Sequence, residues 1–320
     1  MNKLEKSKNQ KWILLTYFSF CFYYFGTLVM TYFVSYPQLQ KVSKNIPDYV
    51  HMFNDKMILF CYFPAVLMLI SHVLVVRFCT KKFSKSLLWA SFGLALFSVL
   101  TTFLVIVPIH QELPILGMTS ELSSKLLMYS MYLQLIPAAI QVAITLKIFN
   151  IFLIEKSILT RVLFISTFFL SFYAIGALYI ESLVGYPMWL LIDPSDWLAT
   201  REAVGLSIPA FIWVFLIPVY LPLLLLIPMF WKHPPEISKY TIVVLFLFKL
   251  WVFVITAVYF VPDIQVKLTV EYSRELIENL NTDDFPLRGT ADLMYIFTLC
   301  YMFMQLKSKT KNNLKNHSLY

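Results

Sequence analysis

The chain has 320 residues, 59% of them apolar and 14% charged, against roughly 45–50% and 25% in soluble domains. A soluble fold of that composition would expose more apolar surface than water tolerates, so the composition calls for a bilayer. The net charge of +8 does not mark a nucleic-acid binder. The basic residues fall in short clusters between apolar runs, not in one patch.

The N-terminus opens basic (Lys3, Lys6, Lys8, Lys11) and runs directly into apolar sequence at 12–36. That run is too long for the apolar core of a signal peptide, and no small-x-small cleavage site follows it. It is read as a retained first span. A helix needs about 20 mostly apolar residues to cross the hydrocarbon core. Six further stretches satisfy this clearly: 57–78, 86–109, 126–149, 160–181, 205–231 and 240–262. An eighth, 291–306, is shorter and opens on a polar turn with Arg288 and Asp292. Between the seventh and eighth lies the longest loop, 263–290, where Val270, Leu276, Ile277 and Leu280 alternate with acids. That pattern predicts a short amphipathic helix lying on the interface.

The expected fold is all-α and polytopic, with about eight transmembrane helices. Placing the N-terminus inside puts 17 Lys/Arg and 3 Asp/Glu on the cytoplasmic side. The outer side then receives 8 and 15, with Lys249 left within a span. Because Lys and Arg set topology, both termini are expected in the cytoplasm of a cell membrane, the inner membrane if the source is bacterial. The four cysteines, Cys21, Cys61, Cys79 and Cys300, show no CxxC or Cys/His spacing. They read as small apolar membrane residues and not as a disulfide or zinc framework.

An internal repeat is the most informative pattern. The first span closes on Ser35-Tyr36-Pro37 and the fifth on Gly185-Tyr186-Pro187. Phe63-Pro64 is matched by Ile217-Pro218, and Ile106-Val107-Pro108 by Phe260-Val261-Pro262. Asp48-Tyr49 and Asp196-Trp197 stand in corresponding outer loops. Two four-helix units follow, 1–150 and 151–320. Four is an even number of spans, so the copies share one orientation and form a parallel repeat. The prolines mark helix ends and kinks.

Short motifs within each unit carry a family resemblance. Tyr36-Pro37 ends the first span, His51 opens the second with Asn54 where another His is expected, and Pro108-Ile109-His110-Gln111-Glu112-Leu113 closes the third. Tyr132-Leu133-Gln134 stands in the fourth. The second unit has Tyr186-Pro187 and Trp197, with Arg201 in place of the His, then Val261-Pro262-Asp263-Ile264, and finally Arg288 and Thr290. The chain so resembles a tandem duplication of an uncharacterised family of four-span bacterial membrane proteins, loosely similar to the anthrone oxygenase-like group. The resemblance implies the fold. It leaves the second copy without the histidines that a metal or oxygenase role would use.

Candidate chemistry gathers on the outer face. His51, Asp55, His110 and Glu112 sit at or beyond the outer ends of the second and third spans, and two histidines with carboxylates can bind a divalent metal or move protons. Arg201, Glu202 and Asp263 occupy the corresponding face of the second unit and resemble an ion-pair or anion site. Lys249 is the clearest intramembrane charge, a feature that is paired or functional. His72 reads as a core histidine with its hydrogen bonds satisfied. The aromatics of the first span (Tyr17, Phe18, Phe20, Phe22, Tyr23, Tyr24, Phe25) suit lipid contact or a quinone groove. No phosphate loop, Gly-rich fingerprint, Gly-x-Ser-x-Gly or HExxH occurs.

Three functional classes follow, and the sequence identifies no reaction, metal or cofactor that would decide whether the protein is an enzyme. They are a membrane-embedded enzyme or small-molecule binder with an outer-face site, a small-solute or lipid transporter, and a non-catalytic subunit of a membrane assembly. The expected partners are the lipid bilayer, a lipid or small apolar molecule, and an oligomer or membrane-complex partner, with no nucleic acid.

Overall fold

A computed structural model describes residues 3–80, 82–205, 212, 214 and 217–306. Every regular element among them is helical. Among the described residues six helices are long and apolar enough to cross a membrane: α1 (Lys8–Leu39), α2 (Ile46–Phe78), α3 (Lys85–Leu116), α4 (Ser120–Phe152), α5 (Ile158–Trp189) and α8 (Lys239–Val270). Between α5 and α8 stand α6 (Trp197–Gly205) and the apolar α7 (Ile217–Met229). Much of the expected sixth span, 206–211, 213, 215 and 216, lies outside the described residues. The chain closes with α9 (Arg274–Asp284) and α10 (Thr290–Gln305).

These helices begin where the sequence offers a hydroxyl. Thr119, Ser157, Ser238 and Ser273 each accept a hydrogen bond from a backbone N–H of the first turn of the helix that follows, at α4, α5, α8 and α9. α3 stops at Gly117, whose φ of 69° suits a residue without a Cβ.

The prolines behave differently from expectation. Pro37, Pro64, Pro108, Pro137 and Pro187 do not end helices. Each sits just beyond a π-helical turn inside a continuous rod: Thr31–Ser35, Ile58–Tyr62, Thr102–Ile106, Ser130–Leu135 and Glu181–Gly185. Pro262 and Pro286 lie within such turns, Thr256–Gln265 and Phe285–Gly289. A proline lacks an N–H and its ring collides with the carbonyl four residues back. Widening the turn moves that carbonyl aside, so the helix bends without breaking. Thr31, Thr102 and Thr256, at the start of three of these turns, return a hydroxyl to the carbonyl four residues earlier, at 2.8, 3.0 and 2.7 Å.

The same device revises the segment 263–290. Its amphipathic helix exists as α9, with Ile277 and Leu280 buried and Glu278 exposed. It does not lie apart, however. Through the π turn at Phe285–Gly289 it runs into α10, so the last rod extends from 274 to 305. The first five expected spans and the seventh likewise continue beyond their apolar runs.

α1 and α5 form the central pair. For each, 72% of its apolar window is buried, against 44% or less in the other long helices. Their crossing is tight because it is made by glycine. A Cβ on Gly26 would strike the Tyr173 carbonyl and approach the Ala177 nitrogen, and one on Gly176 would strike the Tyr23 carbonyl and approach the Thr27 nitrogen. Small residues that admit close backbone approach are how helices associate in lipid, where no hydrophobic force drives them together. Below the crossing, Phe18, Phe149, Phe168 and Phe303 join α1, α4, α5 and α10. Phe18 and Phe149 stack at 4.2 Å, and Phe149 meets Phe168 edge-on at 5.2 Å, pairs worth about 0.5–1.5 kcal/mol each.

Candidate functional site

Polar groups concentrate around one cavity of about 320 Å³, near the C-terminal ends of α1 and α5. Its walls are mainly apolar, with Met30, Val34, Leu178, Val219, Val252 and Phe260 among them. The polar side chains come largely from the π turns. Glu181 opens the turn in α5, Thr256 and Gln265 begin and end the turn in α8, and Arg288 lies in the turn between α9 and α10.

The charges in this wall have different partners. Arg288 is ion-paired with Asp284, lies over the Phe260 ring at 4.0 Å and donates to the Tyr186 hydroxyl at 3.4 Å. Asp292, at the floor, accepts from Lys249 Nζ at 2.7 Å, and both side chains are almost fully buried. Lys249 also stands over the Tyr295 ring at 4.7 Å. A buried pair of this kind holds only with such geometry, because desolvation offsets much of the attraction.

Arg201 and Glu181 differ from these. Arg201 donates through Nη2 to Gln265 Oε1 at 3.0 Å and packs over the Trp189 ring at 4.7 Å, yet no carboxylate among the described residues ion-pairs with it. Glu181 lines the same wall and makes no ion pair among the described residues. Three buried donors in this wall have no partner among the described residues: Arg201 Nε, Trp189 Nε1 and the Tyr179 hydroxyl.

The residues singled out from sequence are distributed as follows. Arg201 lines the cavity and Lys249 reaches it through Asp292. His51 and Asp55 pair with each other at 3.0 Å on an exposed face, with 78% of the His51 side chain accessible. His110 is instead buried, its Nδ1 bonded to Asn54 Oδ1 at 2.9 Å and its ring against Tyr36 and Phe53. Glu112 and Glu202 are exposed, and Asp263 pairs with Lys267 at 3.5 Å on the surface. Beyond the His51–Asp55 pair, the structure does not gather these histidines and acids into one site, and no group of three or more metal-ligating side chains occurs among the described residues. His72 is a satisfied core residue, bonded to the Met68 carbonyl at 2.9 Å and Ser91 Oγ at 3.1 Å.

Sequence reasoning passed over Glu181, Asp284, Tyr179 and Trp189. The available signal was positional. Glu181 and Tyr186 stand 150 residues after Thr31 and Tyr36, and Thr256, Asp284 and Arg288 stand 154 after Thr102, Ser130 and Gln134. Those earlier residues line a second, pinched space of about 10 Å³. There Gln134 Nε2 donates to Thr102 Oγ1 at 2.6 Å, where its later counterpart Arg288 faces Thr256 Oγ1 at 3.5 Å. No family model, curated protein or solved structure matches this chain.

Proposed function

We propose that this protein crosses the membrane eight times, as two parallel four-helix repeats with both termini in the cytoplasm, and binds a small amphiphilic molecule in the second repeat. Several observations support the repeat. α3 and α8 have bounds 154 residues apart, as do the starts of α4 and α9. Gly26 and Gly176 exchange equivalent contacts across the α1–α5 crossing. Reading α6 with α7, and α9 with α10, as single spans completes four and four.

The observation that carries the binding function is the cavity, with apolar walls and three unpartnered donors on the residues that line it. Ligand sites are mostly apolar with a few converging polar groups, and buried donors without acceptors are costly unless something fills the site. The cavity takes in Arg201 of the expected outer-face residues and not His51 or His110, and residues of α1 share its wall with those of the second half. The test is native mass spectrometry of the protein purified from membranes. A small-molecule adduct is expected on the wild type and not on Val252→Phe, which fills the cavity. An unchanged adduct on a folded Val252→Phe protein defeats the reading.

A second reading, transport, draws on the Lys249–Asp292 pair, a buried charge pair at the floor of the same cavity. It requires solute uptake into proteoliposomes that is lost in Lys249→Met.

A further inference from the structure

The charges left open in the cavity define a ligand class, an inference that rests on the binding function just proposed. Lys249 is neutralised by Asp292 and Arg288 by Asp284. One basic side chain, Arg201, and one carboxyl, Glu181, line the cavity without an ion-pair partner among the described residues. They do not pair with each other, although both face the same space.

Arg201 is held from behind. Gln265 takes Nη2 and the Trp189 ring lies under the guanidinium, while Nε remains open. Trp189 Nε1 and the Tyr179 hydroxyl, on residues of the same wall, also lack acceptors but are enclosed by protein, so the Arg201 guanidinium is what this wall offers to a group carrying negative charge. The Glu181 carboxyl offers acceptor oxygens to a donor carrying positive charge. An unpaired charge at membrane depth is expensive. A singly charged ligand satisfies one of the two and leaves the other. We infer that the ligand is a zwitterion of the amino-acid class, its carboxylate on Arg201 and its ammonium on Glu181. Its apolar tail lies along Met30, Val34, Leu178 and Val252.

The volume fits this class. At about 320 Å³ the space stands at the lower end of small-molecule pockets, roughly 300–1,000 Å³, and suits an amino acid with a medium-length alkyl or aromatic side chain.

The experiment compares four probes with related tails on the detergent-purified full-length protein by isothermal titration: 2-aminooctanoate, octanoate, octylammonium and neutral 1-octanol. 2-Aminooctanoate is expected to bind at least about tenfold tighter than either singly charged probe, a difference of about 1.4 kcal/mol. Glu181→Gln should reduce its affinity to that of octanoate, and Arg201→Gln to that of octylammonium. Glu181→Asp and Arg201→Lys should each retain part of the preference, and thermal unfolding of every variant shows that it is folded. If octanoate or 1-octanol binds the wild type as tightly as 2-aminooctanoate, the zwitterion assignment is overturned while the cavity remains a binding site. If none of the four binds, the binding function falls with it.

Discussion

The two spaces near the crossing helices have the same framework and opposite fates. One is closed to about 10 Å³ by a neutral pair, Gln134 on Thr102. The other stands open at about 320 Å³, with Glu181, Asp284 and Arg288 where the first has Thr31, Ser130 and Gln134. An amide and a hydroxyl satisfy each other at short range and let the helices close. A guanidinium needs a counter-ion and room, and Arg288 takes Asp284 for the first. The same substitution of charge for neutrality recurs at the floor, where Lys249 and Asp292 stand 154 positions after Ala95 and Ala138. The open space is thus the charged one and the closed space the neutral one.

The largest test of that contrast is at the floor. Lys249→Met alone strands Asp292 in the interior and should cost about 3–5 kcal/mol, read as a lowered unfolding midpoint in detergent. Lys249→Met with Asp292→Leu removes both charges and should cost less than either single change. A double variant no more stable than the singles would show that the pair contributes more than its own neutralisation. Next comes the shared framework. Gly26→Ala and Gly176→Ala should each destabilise by about 1–3 kcal/mol, and by similar amounts, because each new methyl meets backbone. Markedly unequal losses would show that the crossing is not balanced.

A smaller effect is expected from remaking the open space in the image of the closed one. Asp284→Ser with Arg288→Gln should weaken 2-aminooctanoate binding about tenfold, close to 1.4 kcal/mol, as the walls draw together. Unchanged affinity would separate charge from openness. The smallest effect concerns the loops that join the halves. Asp193 pairs with Lys44 at 3.1 Å, and Asp196 accepts from Ser43 N at 2.7 Å. The Ser195 hydroxyl and backbone N–H, with Lys44, hold the Asp193 carboxyl down at about 2. A carboxylate with a depressed pKa stabilises the fold above its ordinary value and loses that contribution as pH falls through the depressed one. Hydrogen exchange in the 40–45 and 190–196 loops should therefore not accelerate for this reason between pH 7 and 4, only near pH 2.

Much of this architecture was legible from residue order. Long apolar runs announced the long helices, and the spaced Tyr-Pro and Val-Pro pairs are what the proposed correspondence between the halves rests on in the sequence. What the prolines would do was not legible. Read as helix ends, they put Glu181 at the edge of a span, when the π turn at Glu181–Gly185 carries the helix on and leaves that acid in the wall. Lys249 stood out as an intramembrane charge. Its partner did not, because Asp292 was assigned to a polar turn and the pairing depends on how α8 and α10 align. His51 and His110 seemed neighbours along the sequence ends of two spans. One faces outward and the other turns inward to Asn54, a difference of helix rotation that spacing alone does not report.

The glycine crossing has a consequence for how such asymmetry can arise. A face that meets its own counterpart through equivalent residues is the contact a homodimer makes about a two-fold axis. In a dimer of identical chains, every new charge arrives twice, and a helix pair that must stay closed in one copy is forced open in the other. In the proposed repeat, joining the copies in one polypeptide lifts that constraint. One half can stay sealed and keep the assembly together while the other is free to acquire Glu181, Arg201 and Arg288 and become a place where a molecule can sit.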